Sequence, residues 1–419
     1  MTGEEVAAER PRDIKPFLAL EAATMIAGIG NGVASIALPW LTLELTRDPA
    51  AAGVVVAVGA LPMLSASLAS GVVIDRLGRQ RTSVGSDVFS AVSAAMIPLA
   101  ALAGMLTYPL VLVASVIGAV FDPVGVTARE AMIPDVARRA RLELERVNGV
   151  HEATWGLAWL IGPGVAGVLI ASVGAEMSFW AMCLGFVLSA VLVGTACMPT
   201  PPARVSDQHW LQDALDGLRL VMGEPAIRST TVLSTVSFTL LFSVIGVVLP
   251  FVYEELGKPR ELGLLFMVFS AGGVVGALAY SALGTRLPRR PAFVIGLAAS
   301  AVVSGMYAFS PGYAVQLAVM AVTGVLTGPV NPIVNVVLQE RTGEEIRGRA
   351  LAMVFALAYA LYPVGYVAAG FSLKGLGVEA TAGWMAGVMA LTAVWALMTP
   401  ALRGIGTPQP SPSSASDLA

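Results

Sequence analysis

The chain reads as long apolar runs separated by short polar connections. Runs near 17–43, 50–74, 82–104, 108–128, 149–173, 178–198, 229–252, 261–284, 291–309, 313–338, 350–373 and 380–400 each approach the roughly 20 residues that cross a bilayer as a helix. Twelve spans follow, and those at 17–43 and 313–338 are long enough to tilt or kink. The longest polar interval, 199–228, opens with prolines and continues as a short amphipathic pattern through Trp210, Leu211, Leu215 and Leu218. The expected organisation is a segment 1–16, a six-helix bundle 17–198, a linker 199–228, a second six-helix bundle 229–400 and a Pro/Ser-rich tail 401–419, the last expected to be disordered.

Composition fixes the class. Only 13% of the 419 residues are charged, against about 25% in soluble proteins, and the mean hydropathy is +0.78. Too little polar surface remains to clothe a water-soluble body. The fold class expected is therefore an all-α membrane protein, with lipid as its surroundings. The net charge of −3 gives no reason to expect nucleic-acid binding. With the N-terminus placed in the cytoplasm, inner segments carry 21 of the 25 basic residues, Arg129 counted among them, and outer loops carry Arg47, Lys258, Arg260 and Lys374. That asymmetry predicts a multi-pass protein of the inner (plasma) membrane with both termini cytoplasmic. The opening "MTGEEVAAERPRDIK" is too charged for a signal peptide. Cys183 and Cys197 stand 14 residues apart in one span, about 21 Å along a helix, too far to bridge. His151 and His209 are the only histidines, so no metal site, no cofactor and no catalytic constellation are expected.

The chain also repeats itself. "ALPWLTLELTRDPAAAG" (37–53) lies over "VLPFVYEELGKPRELG" (248–263), matching Leu38-Pro39 with Leu249-Pro250, Glu44-Leu45 with Glu255-Leu256, and Gly53 with Gly263. At the same offset "DRLGRQR" (75–81) lies over "TRLPRRP" (285–291), and later "FDPV" (121–124) over "TGPV" (327–330). Both copies enter the membrane from one side, so the repeat is parallel and its axis runs along the membrane normal, as in the two halves of major-facilitator transporters. Two rigid bundles of this kind can rock about a site held between them.

Three motifs strengthen that likeness. "GVVIDRLGRQR" (71–81) resembles the superfamily's loop signature Gly-x-x-x-Asp-Arg-x-Gly-Arg-x-Arg/Lys, carried here by Gly71, Asp75, Arg76, Gly78, Arg79 and Arg81. The resemblance implies a latch on the cytoplasmic side, with Asp75 meeting an opposing helix N-terminus or an arginine; the second copy has Thr285 instead. "AWLIGPGVAG" (158–167) resembles a degenerate antiporter signature built on Gly162, Pro163 and Gly167, with Ala158 and Ala166 replacing two glycines. The block from Phe121 to Gly167 is similar to the Tap-like multidrug efflux permeases, a group that also holds macrolide and siderophore exporters. The resemblance runs nearly the whole chain and implies a monomeric, proton-coupled exporter of small-molecule drugs working by alternating access. A dedicated exporter of one metabolite, siderophore or lysophospholipid is the alternative on the same architecture. A non-transporting sensor would need a signalling domain, which the sequence does not suggest. "GIGNG" (28–32) and "GPGVAG" (162–167) follow no strand and are not nucleotide loops, and no Walker Gly-Lys-Ser/Thr occurs.

Charges inside apolar spans are the sharpest chemical signal, because an ionised carboxylate at the bilayer centre costs at least ~2.5–3.5 kcal/mol. Asp122 is the deepest, roughly 20 Å beyond Leu110 along the fourth span, and is the first candidate for carrying a proton. Its alternative is a structural pair with Arg129 or with a neighbouring helix. Glu21 and Glu152 are further proton-coupling candidates, and Asp87 is expected to pair with loop arginines. Glu130 and Glu152 are expected to join Arg129, Arg138 or Arg139 in a gate network. A drug pocket would be mostly apolar and aromatic with a few polar groups; Asn31, Trp155, Trp159, Phe238, Phe242, Asn331, Asn335, Tyr359 and Tyr362 are candidates by depth and helical spacing.

Overall fold

A computed structural model describes residues 12–197, 210–309 and 311–406. Six helices come first: α1 (Lys15–Thr46), α2 (Pro49–Leu77), α3 (Arg79–Leu102), α4 (Tyr108–Ala140), α5 (Leu144–Val173) and α6 (Ala175–Ala196). A short helix α7 (Trp210–Gly223) occupies the expected linker. Then follow α8 (Pro225–Glu255), α9 (Pro259–Leu283), α10 (Arg289–Met306) and α11 (Tyr313–Arg341). The last run, Glu344–Met398, breaks at Gly377, whose φ of 77° is left-handed; its limbs are α12 (344–376) and α13 (378–398). Twelve helices therefore match the twelve apolar runs, and the all-α expectation holds among the described residues.

The helix boundaries follow local chemistry. The Asp48 carboxylate caps α2 by accepting from the Ala50 N–H at 2.9 Å, with Pro49 preset at the first helical position. Glu224 caps α8 in the same way, through the Ile227 N–H at 2.6 Å. The long first span contains Pro39, and the long tenth, α11, breaks at Gly328-Pro329. One turn of α8, Val244–Val248, is a π-bulge. The tail behaves differently from expectation at its start: residues 400–406 form a 3-10 turn that buries Leu402 and Ile405, and the Arg289 guanidinium donates to the Ile405 carbonyl. Two apolar side chains and a charged donor tie this stretch down. The remaining tail, 407–419, and residues 199–209 of the linker lie outside the described residues.

Helices α1–α6 pack together, as do α8–α13. With twelve spans, residues 12 and 406 lie at one end of the molecule, here the proximal end; the other is the distal end. Buried apolar side chains form three groups. One is shared by both halves toward the distal end, joining Trp40, Leu41 and Phe179 to Leu249, Tyr253 and Leu262. The other two lie proximally and stay within one half each, around Leu20, Met132 and Val147 in the first and around Ile227, Phe293 and Ile333 in the second.

The repeat explains how the halves meet. At one crossing α2 lies on α12, so that a Cβ on Gly53 would sit 2.5 Å from the Tyr366 carbonyl and 3.1 Å from the Gly370 Cα. At the other α9 lies on α5, so that a Cβ on Gly263 would sit 2.6 Å from the Pro163 carbonyl and 3.2 Å from the Gly167 Cα. Gly53 and Gly263 are the two glycines the repeat superimposes. Small residues let helix backbones approach this closely, and the chain uses the device twice, once per half.

Candidate functional site

The first group of polar side chains sits at mid-depth in the N-terminal half. The Asn31 amide on α1 donates to Asp122 Oδ2 on α4 at 2.8 Å, while Asp122 Oδ1 is sealed from solvent and has no hydrogen-bond partner. Both residues line a cavity of about 170 Å³ bordered by α1, α2, α3, α4 and α6. Ser90 Oγ, another buried and partnerless atom, lines it too, as do Phe179, Met182 and Phe186. This cavity lies inside one half rather than between the two. It is below the roughly 300–1,000 Å³ of drug sites and has room for about five waters. The polar contact of Asn31 goes to Asp122.

One to two turns toward the proximal end, Arg129 is 1% exposed. Its Nη1 donates to Asp87 Oδ1 on α3 at 2.8 Å, and the Ser189 hydroxyl on α6 donates to Asp87 Oδ2 at 2.7 Å. Both expected pairings change. Asp87 meets Arg129 instead of loop arginines, and Arg129 is a core residue instead of part of an inner loop or a direct partner of Asp122. The reason is register: Arg129 and Asp87 face each other across α3 and α4, with Gly125 making room beside both.

Nearer still to the proximal end, His151 Nδ1 on α5 lies 3.1 Å from Glu21 Oε1 on α1, and both residues are buried. Glu21 Oε2 is buried without a partner. Glu130 and the exposed Glu152 lie within electrostatic reach of His151. Glu130 lies within electrostatic reach of both His151 and Arg129, while Arg138 pairs with Asp135 of its own helix. His151 is the residue that sequence reasoning missed. Its signal in the sequence is a histidine just inside an apolar span, between Glu145 and Glu152.

The loop motif is held within one half. Arg79, at the start of α3, pairs with Asp135 of α4 at 2.8 Å, and the repeat-related Arg289 pairs with Glu340 of α11 at 2.6 Å. For Arg79 the contact is a strut within its own half. Gly78 has φ of 85° and joins α2 to α3 through its N–H to the Ile74 carbonyl. Its counterpart is Pro288, which cannot take positive φ, so the second half turns through a short 3-10 segment instead. Asp75 is half-buried, Arg76 and Arg81 are exposed, and the surroundings of Gly71 lie outside the described residues.

The antiporter motif works in two directions. Gly162 packs on Gly32 of α1, and a Cβ on Gly32 would come within 3.1 Å of the Pro163 Cδ. Gly167 faces the other half, where its Cβ would lie 2.5 Å from the Pro259 carbonyl. Beside the α2–α12 crossing an exposed ion pair joins the halves, Lys374 Nζ to Asp48 Oδ2 at 2.7 Å. The hydrogen bond from Lys374 chiefly, with the Ala50 N–H, holds the Asp48 carboxyl below its usual range. A depressed carboxyl lends stability above its unperturbed pKa that is lost as pH falls through the folded value. Acidifying the distal side below about pH 4 is therefore expected to loosen this contact. Exposed pairs are worth about 0.2–1 kcal/mol, so Lys374→Gln should change the closed-to-open ratio of the distal end by no more than about fivefold, read by spin-label distances between the halves.

The aromatic candidates form two groups. Phe238 and Phe242 on α8 stand 6.1 Å apart, Phe242 meets Tyr362 of α12 at 5.3 Å, and Tyr362 meets Tyr359 at 5.6 Å. This four-ring cluster lies at mid-depth just before the π-bulge. Trp155 and Trp159 form an edge contact at 6.2 Å on α5 of the other half. Asn331, exposed, and Asn335, half-buried, lie on the proximal limb of α11.

Known proteins place this geometry. The profile of the transmembrane secretion effector family matches residues 8–414. Multidrug efflux pump Tap of Mycolicibacterium fortuitum is 33% identical over 394 residues, covering 93% of this chain and 96% of that one. Multidrug efflux pump Tap of Mycobacterium tuberculosis is 33% identical over 387 residues, covering 91% and 92%. Macrolide efflux protein A of Streptococcus pyogenes is 18% identical over 370 residues, covering 87% and 90%. Among solved structures the nucleoside transporter NupG superimposes with a TM-score of 0.76 at 14% identity over 92% of this chain and 98% of that one, and a D-xylose-proton symporter with 0.69 at 17% identity over 94% and 99%; these show the fold. The chain is a multi-pass membrane protein that belongs to the transmembrane secretion effector family of the major facilitator superfamily.

Proposed function

We propose that this chain exports amphipathic drugs or antibiotics from the cytoplasm by alternating access, driven by protons moving inward. The observation that carries the reading is Asp122, a mid-depth carboxylate lining a small cavity within the N-terminal half, with one oxygen held by Asn31 and the other partnerless. A group so placed can exchange a proton without touching cargo. The kinship with multidrug efflux pumps supports drugs as cargo. The proximal end, rich in arginine, is assigned to the cytoplasm, which makes the distal seal that of an inward-facing state. Cargo would lie between the halves, against the Phe238–Phe242–Tyr359–Tyr362 cluster on one side and Trp155 and Trp159 on the other, with Asn331 and Asn335 as polar contacts; aromatic faces suit flat or cationic ligands. The working unit is a monomer in lipid.

The test is uptake of ethidium and of radiolabelled erythromycin into everted vesicles energised by a pH gradient. Accumulation should collapse on adding an uncoupler. Asp122→Asn should lose at least about tenfold of the uphill rate while keeping downhill exchange. Uphill uptake that survives either the uncoupler or Asp122→Asn refutes the coupling assigned here, and a response to only one compound across a panel favours a dedicated exporter.

A further inference from the structure

The acids and the histidine at the proximal end of the N-terminal half are not explained by Asp122. Glu21 and His151 are 8% and 7% exposed, come from different helices, and make one bond to each other. Glu21 Oε2, sealed and without a partner, points to a proton or polar group not fixed in place. Burying a carboxylate without full pairing is costly, so a purely structural contact would be expected to satisfy both oxygens. The charged groups that act on His151 are Glu21 from α1, bonded to the ring, and, at longer range, the exposed Glu130 of α4 and Glu152 of its own helix. Arg129 is engaged by Asp87. Helix α6 carries its one acidic residue, Glu176, at its distal start, and α9 carries its one, Glu261, in its distal first turn. One carboxylate therefore bonds the imidazole and two exposed ones lie within electrostatic reach of it.

We propose that Glu21 and His151 form a second proton-binding site, separate from Asp122, that receives the proton leaving Asp122 and hands it to the cytoplasm. The site rests on the proton-driven reading above. Its chemistry is one proton transfer at a time. The neutral ring donates Nδ1–H to Glu21 Oε1, leaving the Nε2 lone pair free. An incoming proton adds to Nε2, the imidazolium lies against the Glu21 carboxylate, and the proton then leaves Nε2 for water. Only an N–H bond is made and broken, and no redox partner is involved. Asn31, which holds Asp122, and Glu21 are ten residues apart on α1, about 15 Å, so transfer between the two sites needs bridging water. The Arg129–Asp87 pair stands between the two levels, a fixed charge pair past which the proton moves.

With only two histidines in the chain, His209→Gln leaves His151 as the sole ring signal. The experiment is carbon NMR of the full chain, histidine-labelled at Cε1, in lipid nanodiscs from pH 5 to 9. The His151 signal should show one titration. Glu21→Gln should displace its midpoint by one pH unit or more, and Glu152→Gln by less than half as much. A ring that does not titrate, no displacement with Glu21→Gln, or equal displacement by both variants overturns the site. In proteoliposomes, His151→Gln should lose at least tenfold of proton-driven ethidium transport and keep downhill ethidium exchange within twofold; unchanged driven transport overturns the relay. The two readings fail separately. Ethidium movement indifferent to the pH gradient defeats the proposed function and leaves the His151 titration standing, whereas a silent ring defeats the second site and leaves efflux standing.

Discussion

Arg129→Met is expected to lower the stability of the protein by about 3–5 kcal/mol, because it strips the partner from a buried carboxylate. Asp87 is 1% exposed and Arg129 likewise, so neither can turn to water when the other is lost. Asp87 would retain only the hydroxyl of Ser189. Asp87→Leu should cost a similar amount by stranding the guanidinium, whose Nη2 already lacks a partner. The double substitution Asp87→Leu with Arg129→Met should recover most of the loss, since a buried ion pair replaced by apolar groups of similar size is often neutral or stabilising. Unfolding of the purified protein in mixed micelles with increasing SDS would measure all three. A double variant no better than the worse single variant would show that the pair contributes through something other than charge compensation. If the pair also guides the proton between Asp122 and His151, the refolded double variant should transport poorly despite its stability.

Much of the architecture was legible because it is written in period and length. The twelve runs mark twelve helices, since a span of a given thickness needs a given number of apolar residues. Even the Gly53–Gly263 correspondence was visible, although its purpose was not: a glycine at a crossing differs from any other small residue only once the facing backbone is known. The site was less legible for the same reason. Helical spacing reveals which residues share a face, and so it found Phe238 with Phe242 and Tyr359 with Tyr362. It cannot reveal which face meets which. The Phe242–Tyr362 contact, the Asn31–Asp122 bond and the Arg129–Asp87 pair each join two different helices. His151 illustrates a second limit. A single histidine has several chemistries, and only its neighbour across the bundle, Glu21, selects among them.

The second large effect belongs to the distal seal. Gly53→Leu and Gly263→Leu are each expected to force the distal ends of the halves apart and to shift the protein toward a distally open state. The obstacle is backbone and cannot rotate away. A mere Cβ would stand 2.5 Å from the Tyr366 carbonyl in the first case and 2.6 Å from the Pro163 carbonyl in the second. Overpacking of this kind costs about 1–3 kcal/mol, which is roughly a five- to 150-fold change in the ratio of the two states. The pseudo-symmetry sharpens the expectation. Gly370 is met by Pro49 O, Ala50 Cα and Gly53 Cα, and Gly167 by Pro259 O, Arg260 Cα and Gly263 Cα. The two triplets are the same positions of the repeat, so the two substitutions should act with similar strength. Gly59 lies farther along α2 with open space where a Cβ would be, and Gly59→Ala should leave the equilibrium alone. Spin labels at Met105 and Leu376, both exposed near the distal end and one in each half, would report the separation in nanodiscs. A longer distance population with either leucine variant, absent from wild type and from Gly59→Ala, is the expected result. If one crossing responds and the other does not, the halves do not pivot symmetrically, and the repeat records the ancestry of the seal without an equal share in its mechanics.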